Sequence, residues 1–249
     1  MTEKFIWKHR WKNKAKKIMK STSLDFFAQR AFYVLDKYVS AKDKKILEIG
    51  SGTGRFCIAL AKKYPNKEII GIDYTDESVE LSNIGVQKRN LKNVKFIKAD
   101  LFNLPFKDGS FDFVFENGVI EHFKNYQDAI NEMARVTKKG GTIAVNTNNW
   151  YCFPKTFEKK ILGKHYPFGY EKSFKHKEVR VAFKNARLSN IEVFAYNPFN
   201  YIVRFFFFNQ TLKKIIEGLA IFMESLLDLI TFKKFSRTFG YMLFGKGRK

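Results

Sequence analysis

Residues 46–54 read ILEIGSGTG, an apolar run with one acidic residue that leads into glycines at positions 50, 52 and 54. An apolar run that ends in a glycine turn is typical of a buried parallel strand that delivers the chain onto a helix. Glycine permits left-handed dihedral angles and leaves no side chain between the backbone and a ligand. The stretch therefore predicts either a cofactor-binding turn or a plain glycine-containing loop, and the rest of the chain must distinguish them.

The spacing of the glycines bears on which cofactor would fit. A dinucleotide-binding turn has the pattern G-x-G-x-x-G, and here the position of its third glycine is Arg55. Glu48 precedes the first glycine, and Asp73 ends the second predicted strand, at about the 20-residue separation where a carboxylate reaches ribose hydroxyls. A strand-end cap is the alternative role for Asp73.

Two further residues follow the third predicted strand. Asp100 can accept a hydrogen bond from an adenine amino group, and Leu101 offers an apolar contact to the ring. Because ligands of open α/β sheets bind at the carboxyl ends of the parallel strands, these residues and the glycine turn predict one site at that edge.

Strands and helices alternate from Lys45 onwards. The predicted strands are 46–49, 68–72, 94–98, 111–116, 142–146 and 190–196, and the predicted helices between them are 54–63, 76–89, 125–136 and 176–185. Such alternation predicts βαβ units and a mainly parallel sheet. A last strand within 240–247 follows a long, apolar, helical stretch, 198–239.

Four segments together resemble the class I S-adenosylmethionine (SAM)-dependent methyltransferases, in particular the type 11 group with the ubiquinone and menaquinone biosynthesis enzymes. They are ILEIGSGTG, IIGIDYTDESVELS, KADLFNLPFKDGSFDFVFENGVIEHF and ARVTKKGGTIAVNTNN. The resemblance spans about residues 44–196. It implies an α/β, Rossmann-like, doubly wound seven-stranded sheet with an antiparallel last strand, decorated by N-terminal helices and a helical apolar insertion before that strand.

The resemblance also implies SAM as the cofactor and a set of residues that bind it. They are Glu48, Gly50, Ser51, Gly52, Gly54, Asp73, Tyr74, Asp100, Leu101 and Asn117. The first five would hold the methionine part, Asp73 the ribose, Tyr74 the adenine face, and Asp100 and Leu101 the base. Asn117 would lie beside the sulfonium.

Histidine can titrate near neutrality, so His122 and His165 are the candidate general bases for a hydroxyl acceptor. Each is also open to a structural hydrogen-bonding role, which is the more common role of a lone histidine. Cys57 and Cys152 lie in different elements, so we predict no disulfide framework and no metal site.

The chain has 46 Lys and Arg against 24 Asp and Glu, a net charge of +22. This charge favours anionic partners, either nucleic acid or an anionic membrane surface, although AT-rich codon usage also explains abundant lysine. An RNA methyltransferase is the alternative function, but Glu116-Asn117-Gly118-Val119 stands where base-amine methyltransferases of this superfamily have Asn-Pro-Pro-aromatic. A non-catalytic SAM-binding protein is the second alternative.

A small-molecule or lipid-like acceptor, methylated on oxygen or carbon, fits more of the chain. We divide it into basic amphipathic helices, 1–42, and a SAM-binding domain, 43–249. Segments 1–20 and 198–239 are candidates for peripheral membrane contact, and the insertion also fits a lid or a homodimer interface. No signal peptide or membrane-spanning run is predicted, which favours a cytoplasmic enzyme, either free or at the inner face of the membrane.

Overall fold

The computed structural model describes residues 24, 26–163, 169–197, 210–230 and 234–249. The predicted helix over 1–20, His165 and the first part of the apolar insertion lie outside these residues.

The described strands form one seven-stranded sheet in the order β3-β2-β1-β4-β5-β7-β6. Their bounds are β1 Lys45–Ile49, β2 Glu68–Asp73, β3 Val94–Lys98, β4 Phe111–Asn117, β5 Thr137–Asn148, β6 Ser189–Tyr196 and β7 Met242–Arg248. The first five run parallel, and β7 is antiparallel to both of its neighbours, β5 and β6. The predicted Rossmann-like sheet with an antiparallel last strand is confirmed.

The helices of the described residues surround this sheet. They are α1 Phe26–Asp36, α2 Arg55–Lys63, α3 Asp76–Gln87, α4 Tyr126–Val136, α5 Phe153–Leu162, α6 His176–Asn185, α7 Gln210–Ile230 and α8 Lys234–Phe239, with a 3₁₀ turn at Ile120–His122. Helix α5 was not predicted. Its apolar residues are few and two of them, Phe157 and Ile161, are exposed, so it lacks the buried face that reveals a core helix.

Both faces of the sheet are covered by buried apolar side chains, because successive residues of a strand point to opposite faces. On β1, Leu47 and Ile49 belong to the cluster that includes α4 and α6, while Ile46 belongs to the cluster that includes α1 and α2. Glu48 alternates onto the same face as Ile46. This alternation directs its carboxylate towards α2.

The apolar insertion begins and ends at the edge of the sheet where the parallel strands end. Strand β6 runs in the same direction as β5, since both are antiparallel to β7, and its last residue, Tyr196, pairs with Met242 at the start of β7. The carbonyl of Asn197 then accepts a hydrogen bond from the amide of Tyr241 at 3.1 Å.

Among the described helices, none combines the length and apolarity that a membrane crossing requires.

Candidate active site

The glycine turn after β1 has the left-handed backbone that its sequence predicts. Its three glycines have φ angles of 63°, 56° and 69°. The amide of Ser51 donates to the Ile72 carbonyl at 2.7 Å, and the amide of Gly52 donates to Asp73 Oδ2 at 2.9 Å. The turn is therefore tied to the end of β2 through its own backbone.

Two of these glycines also lie too close to neighbouring side chains to carry one of their own. A Cβ on Gly50 would lie 2.5 Å from a methyl of Val119, and a Cβ on Gly54 would lie 2.4 Å from the Phe96 ring. Val119 belongs to the turn after β4. The close approach at Gly50 therefore brings the glycine turn and the end of β4 together.

Glu48 is almost completely buried, with 2% of its surface exposed. Its Oε2 accepts hydrogen bonds from the amide of Cys57 at 3.2 Å and from the Cys57 thiol at 2.9 Å. Oε1 has no hydrogen-bond partner among the described residues. Burial raises the pKa of Glu48 to about 7, although the bonds from Cys57 and the nearby charge of Arg55 oppose the shift. A cation placed next to Oε1 would shift this carboxyl to its ionised form.

Asp73 is buried at the end of β2 and holds three hydrogen bonds within the protein. Besides the bond from Gly52, its Oδ1 accepts from the amide of Thr75 at 3.1 Å and from the Thr75 hydroxyl at 3.0 Å. Its carbonyl accepts from the amide of Ala99, which follows β3, at 3.0 Å. Asp73 thus clamps the glycine turn and the ends of two strands.

The remaining predicted cofactor residues lie at the same edge. Tyr74 is 46% exposed, directly after β2. Asp100 is exposed after β3, and its Oδ1 accepts from the amide of Phe102 at 2.9 Å, while Leu101 is buried behind it. Asn117 ends β4, and its side-chain oxygen accepts from the amide nitrogen of Asn146 on β5. The fold brings together the ends of β1, β2, β3 and β4 as the sequence predicts.

His122 lies in the 3₁₀ turn after β4, and only 5% of it is exposed. Its Nδ1 is 3.2 Å from the carbonyl oxygen of Tyr170. Because a carbonyl can only accept, this contact places the hydrogen of the neutral ring on Nδ1 and makes Nε2 the acceptor. The other candidate base, His165, lies outside the described residues.

A buried acidic side chain for which the sequence predicts no role, Glu116, supports the turn after β4. Glu116 is 1% exposed, and it accepts from the amide of Val119 at 2.8 Å and from the amide of Asn146 at 3.0 Å. Burial and the nearby charge of Glu121 raise its pKa well above the ordinary range. The Tyr196 hydroxyl donates to the Asn146 side chain at 2.8 Å, so a hydrogen-bonded chain runs from β6 through β5 to β4.

A second buried cluster links β5 to α5. The Glu171 carboxylate pairs with Lys159 Nζ at 2.7 Å and Lys155 Nζ at 3.1 Å, and it accepts from the Asn148 amide at 2.7 Å. Asn148 also donates to Glu121 at 3.1 Å. Burial would raise the pKa of Glu171, but the two ammonium groups outweigh it and lower the pKa overall. The cluster fixes α5 beside the carboxyl ends of the strands.

Of the buried acidic and basic side chains in these two networks, only some could be anticipated from the sequence. Glu116 interrupts an apolar strand, and a charged residue at such a position must be paired. Lys155 and Glu171 are far apart in sequence, on a helix and a segment with no periodic pattern, so nothing in the sequence pairs them.

Comparison with known proteins agrees with this geometry. Residues 40–179, more than half of the chain, match a family model described as a methyltransferase domain. The demethylmenaquinone methyltransferase of Geobacillus kaustophilus is 33% identical over 140 residues, which cover 52% of this chain and 60% of that protein. The matching stretch therefore spans less than two thirds of that relative.

Solved structures show the same fold. The geranyl diphosphate C-methyltransferase of Streptomyces coelicolor, in complex with Mg²⁺, geranyl diphosphate and S-adenosyl-L-homocysteine, has a TM-score of 0.65 and 16% identity, and the match covers 89% of this chain and 79% of that one. A phosphoethanolamine N-methyltransferase of Haemonchus contortus with bound SAM has a TM-score of 0.64 and 19% identity over 89% and 52% of the two chains. With its sheet, its glycine turn and the family match in agreement, the chain belongs to the SAM-dependent methyltransferases.

Proposed function

We propose that this protein transfers a methyl group from SAM to a small-molecule or lipid-like acceptor, on oxygen or carbon. The observation that carries the proposal is the convergence of Glu48, the glycine turn, Asp73 and Asp100 on one edge of the sheet. A plain loop would need neither a buried carboxylate with an unused oxygen nor a close backbone approach at Gly50.

The residues at this edge fit the parts of SAM. Glu48 is a buried residue whose Oε1 has no described hydrogen-bond partner, which suits the ammonium of the methionine part. Asp73 suits the ribose and Tyr74 the adenine face, and Asp100 keeps Oδ2 for the adenine amino group. The turn from Gly50 to Gly54 gives the ligand access to backbone amides.

SAM, when bound, supplies a methyl group already activated by its sulfonium. The protein then has to orient the acceptor, exclude water and, for a hydroxyl acceptor, take up a proton. In this proposal Asn117, held by Asn146 and Tyr196, helps to position the reacting groups. His122 is the candidate base.

Two observations support a small or lipid-like acceptor. Curated relatives of the chain act, by their name, on demethylmenaquinone. The insertion that leaves and returns at the carboxyl edge exposes several large apolar side chains of α7. We place the enzyme in the cytoplasm, at the inner face of the membrane.

The net charge of +22 is the one observation that favours an RNA acceptor. The test is to incubate the protein with methyl-labelled SAM and host membranes, RNA or small-molecule extracts, with Asp73→Ala as the control. We expect label in the lipid or small-molecule fraction that depends on Asp73. Label in RNA alone would establish the alternative acceptor, and SAM binding without transfer to any fraction would indicate a non-catalytic protein.

A further inference from the structure

Helix α7 exposes a continuous apolar stripe. The stripe is formed by Leu219, Phe222, Met223, Leu226 and Leu229, whose exposed fractions are 58%, 63%, 42%, 39% and 76%. Their spacing of three, one, three and three residues places all five on one side of a helix. A helix that packs on its own domain would bury such a stripe, so the amphipathic pattern here faces outward.

The opposite side of α7 faces the protein. The carboxylate of Glu224 pairs with the guanidinium of Arg30 at 2.5 Å, and the Glu224 side chain is only 15% exposed. Arg30 also donates to the Asn197 side chain at 2.8 Å, next to the end of β6. The acidic residue thus orients the helix and holds it beside the carboxyl edge of the sheet, with the stripe directed away.

By itself the stripe is too small to form a stable interface between two copies of this chain. Ten residues of helix span about 15 Å, and a helix is about 10 Å wide, so the face covers roughly 150 Å². A stable protein interface buries about 800 Å² on each partner. Two chains that each carry a net charge of +22 also repel one another.

An anionic bilayer matches both the stripe and the charge. A helix with an exposed apolar face inserts that face at the boundary of headgroups and acyl chains and lies in the plane of the membrane. Basic residues near the surface add electrostatic attraction to anionic lipids. The chain carries 46 Lys and Arg against 24 Asp and Glu, so its net charge of +22 favours an anionic surface.

We propose that the stripe from Leu219 to Leu229 docks this protein onto an anionic lipid bilayer. Docking would place the carboxyl edge of the sheet at the membrane surface, because the insertion leaves and returns at that edge. The reason for docking, delivery of a lipid-like acceptor, rests on the proposed function. The docking itself requires no turnover.

The test is co-sedimentation of the full chain with vesicles of phosphatidylcholine containing phosphatidylglycerol, and with phosphatidylcholine alone. We expect binding to the anionic vesicles, and at least tenfold weaker binding for Phe222→Ser with Leu229→Ser, which removes two exposed apolar contacts. The matched control is Tyr33→Ser with Val181→Ser, since these residues of α1 and α6 are 62% and 44% exposed. Binding of the control should equal that of the unchanged protein.

A second readout locates the contact directly. Cys57 and Cys152 are buried, so a polarity-sensitive dye attached to Leu226→Cys reports on the stripe. We expect a blue shift when anionic vesicles are added. Equal sedimentation of the stripe variant and the control, or a dimer in light scattering that the stripe variant dissociates, would overturn the proposal. SAM affinity, measured in parallel, should be unchanged in every variant, which separates a failure of docking from a failure of the cofactor site.

Discussion

At the scale of single residues, the buried carboxyl groups at the carboxyl edge of the sheet lie in different environments. Glu48 keeps one oxygen without a described partner, Asp73 holds three protein hydrogen bonds, and Glu116 accepts from the backbone of the turn after β4. The positions of Glu48 and Asp73 beside the glycine turn could be predicted, because both residues lie in predicted strands that end at this edge of the sheet. Their hydrogen bonds to Cys57 and Thr75 could not, since such contacts depend on the packing of helices and loops.

The protonation of Glu48 should make SAM binding depend on pH. With a pKa of about 7 in the folded protein, the carboxyl is mostly neutral at pH 6 and about half ionised at pH 7. If the ionised form binds the ammonium, affinity rises about fivefold from pH 6 to pH 7. Calorimetric titrations at the two pH values measure this, and Glu48→Gln should bind more weakly and without the pH dependence. A wild-type affinity that does not change would refute the assignment.

Substitutions of Asp73 and Thr75 distinguish a role in SAM binding from a role in supporting the glycine turn. Asp73→Ala removes the acceptor for both the Gly52 amide and the ribose, so we expect SAM binding to fall below detection while the circular dichroism spectrum is kept. Thr75→Val removes only the hydroxyl that a ribose would displace. It should retain SAM affinity within about threefold, because bound ribose would itself replace the bond from the Thr75 hydroxyl to Asp73. Equal losses in both variants would mean that Asp73 acts only as a structural clamp.

At the scale of elements, the glycine turn is defined by its contacts with neighbouring segments. Gly50 has φ 63° and lies against Val119 of the turn after β4, whereas Gly140 has φ 75° and open space around it. The two positions therefore share backbone strain and differ in steric room. The sequence predicts the glycines, but only the packed structure shows which of them a neighbouring side chain constrains.

This difference can be measured by unfolding. Gly140→Ala should cost about 1–2 kcal/mol, the strain of a left-handed alanine. Gly50→Ala should cost about 1–3 kcal/mol more, because its methyl group collides with Val119. In the double variant Val119→Ala with Gly50→Ala, the collision should be relieved. The remaining loss of stability should then equal the strain of an alanine with a positive φ angle. Equal costs at both glycines in urea denaturation would show that the turn and the end of β4 are not in contact.

The positions of helices and strands could be predicted wherever one face of the element is buried, because burial requires apolar residues at a regular spacing. The strands and the helices that cover the sheet have continuous apolar runs or buried stripes, so their positions follow from the sequence. Helix α5 was missed because Phe157 and Ile161 are exposed and its buried lysines pair with Glu171, a residue that only the tertiary fold brings near. The exposed stripe of α7 is the reverse case. Its helical periodicity is evident in the sequence, but the sequence does not show that the apolar side chains face away from the protein.

At the scale of the whole molecule, the fold concentrates carboxyl groups of raised pKa in one region. Burial raises the pKa of Glu48, Glu116 and Glu121. A raised pKa means that the folded state binds the proton more tightly than the unfolded state. The stability that these groups contribute is complete below about pH 4.3 and is lost as pH rises through the folded pKa.

The melting temperature should therefore fall as pH rises from 5.5 to 7.5. For Glu48 alone the shift from 4.5 to about 7 corresponds to about 3 kcal/mol, roughly half of which is lost within this window. Differential scanning fluorimetry of the wild type and of Glu48→Gln measures it, and the variant should show the shallower slope. Parallel slopes would indicate that Glu48 is ionised throughout the window.

We expect the carboxyl edge of the sheet to bind SAM. Isothermal titration of SAM into the full chain tests this expectation most directly, with Asp100→Asn and Asp73→Ala as companions. We expect one SAM per chain, weaker binding in Asp100→Asn and none in Asp73→Ala, with all three proteins folded. No binding to the wild type, or equal binding to all three, would contradict the account.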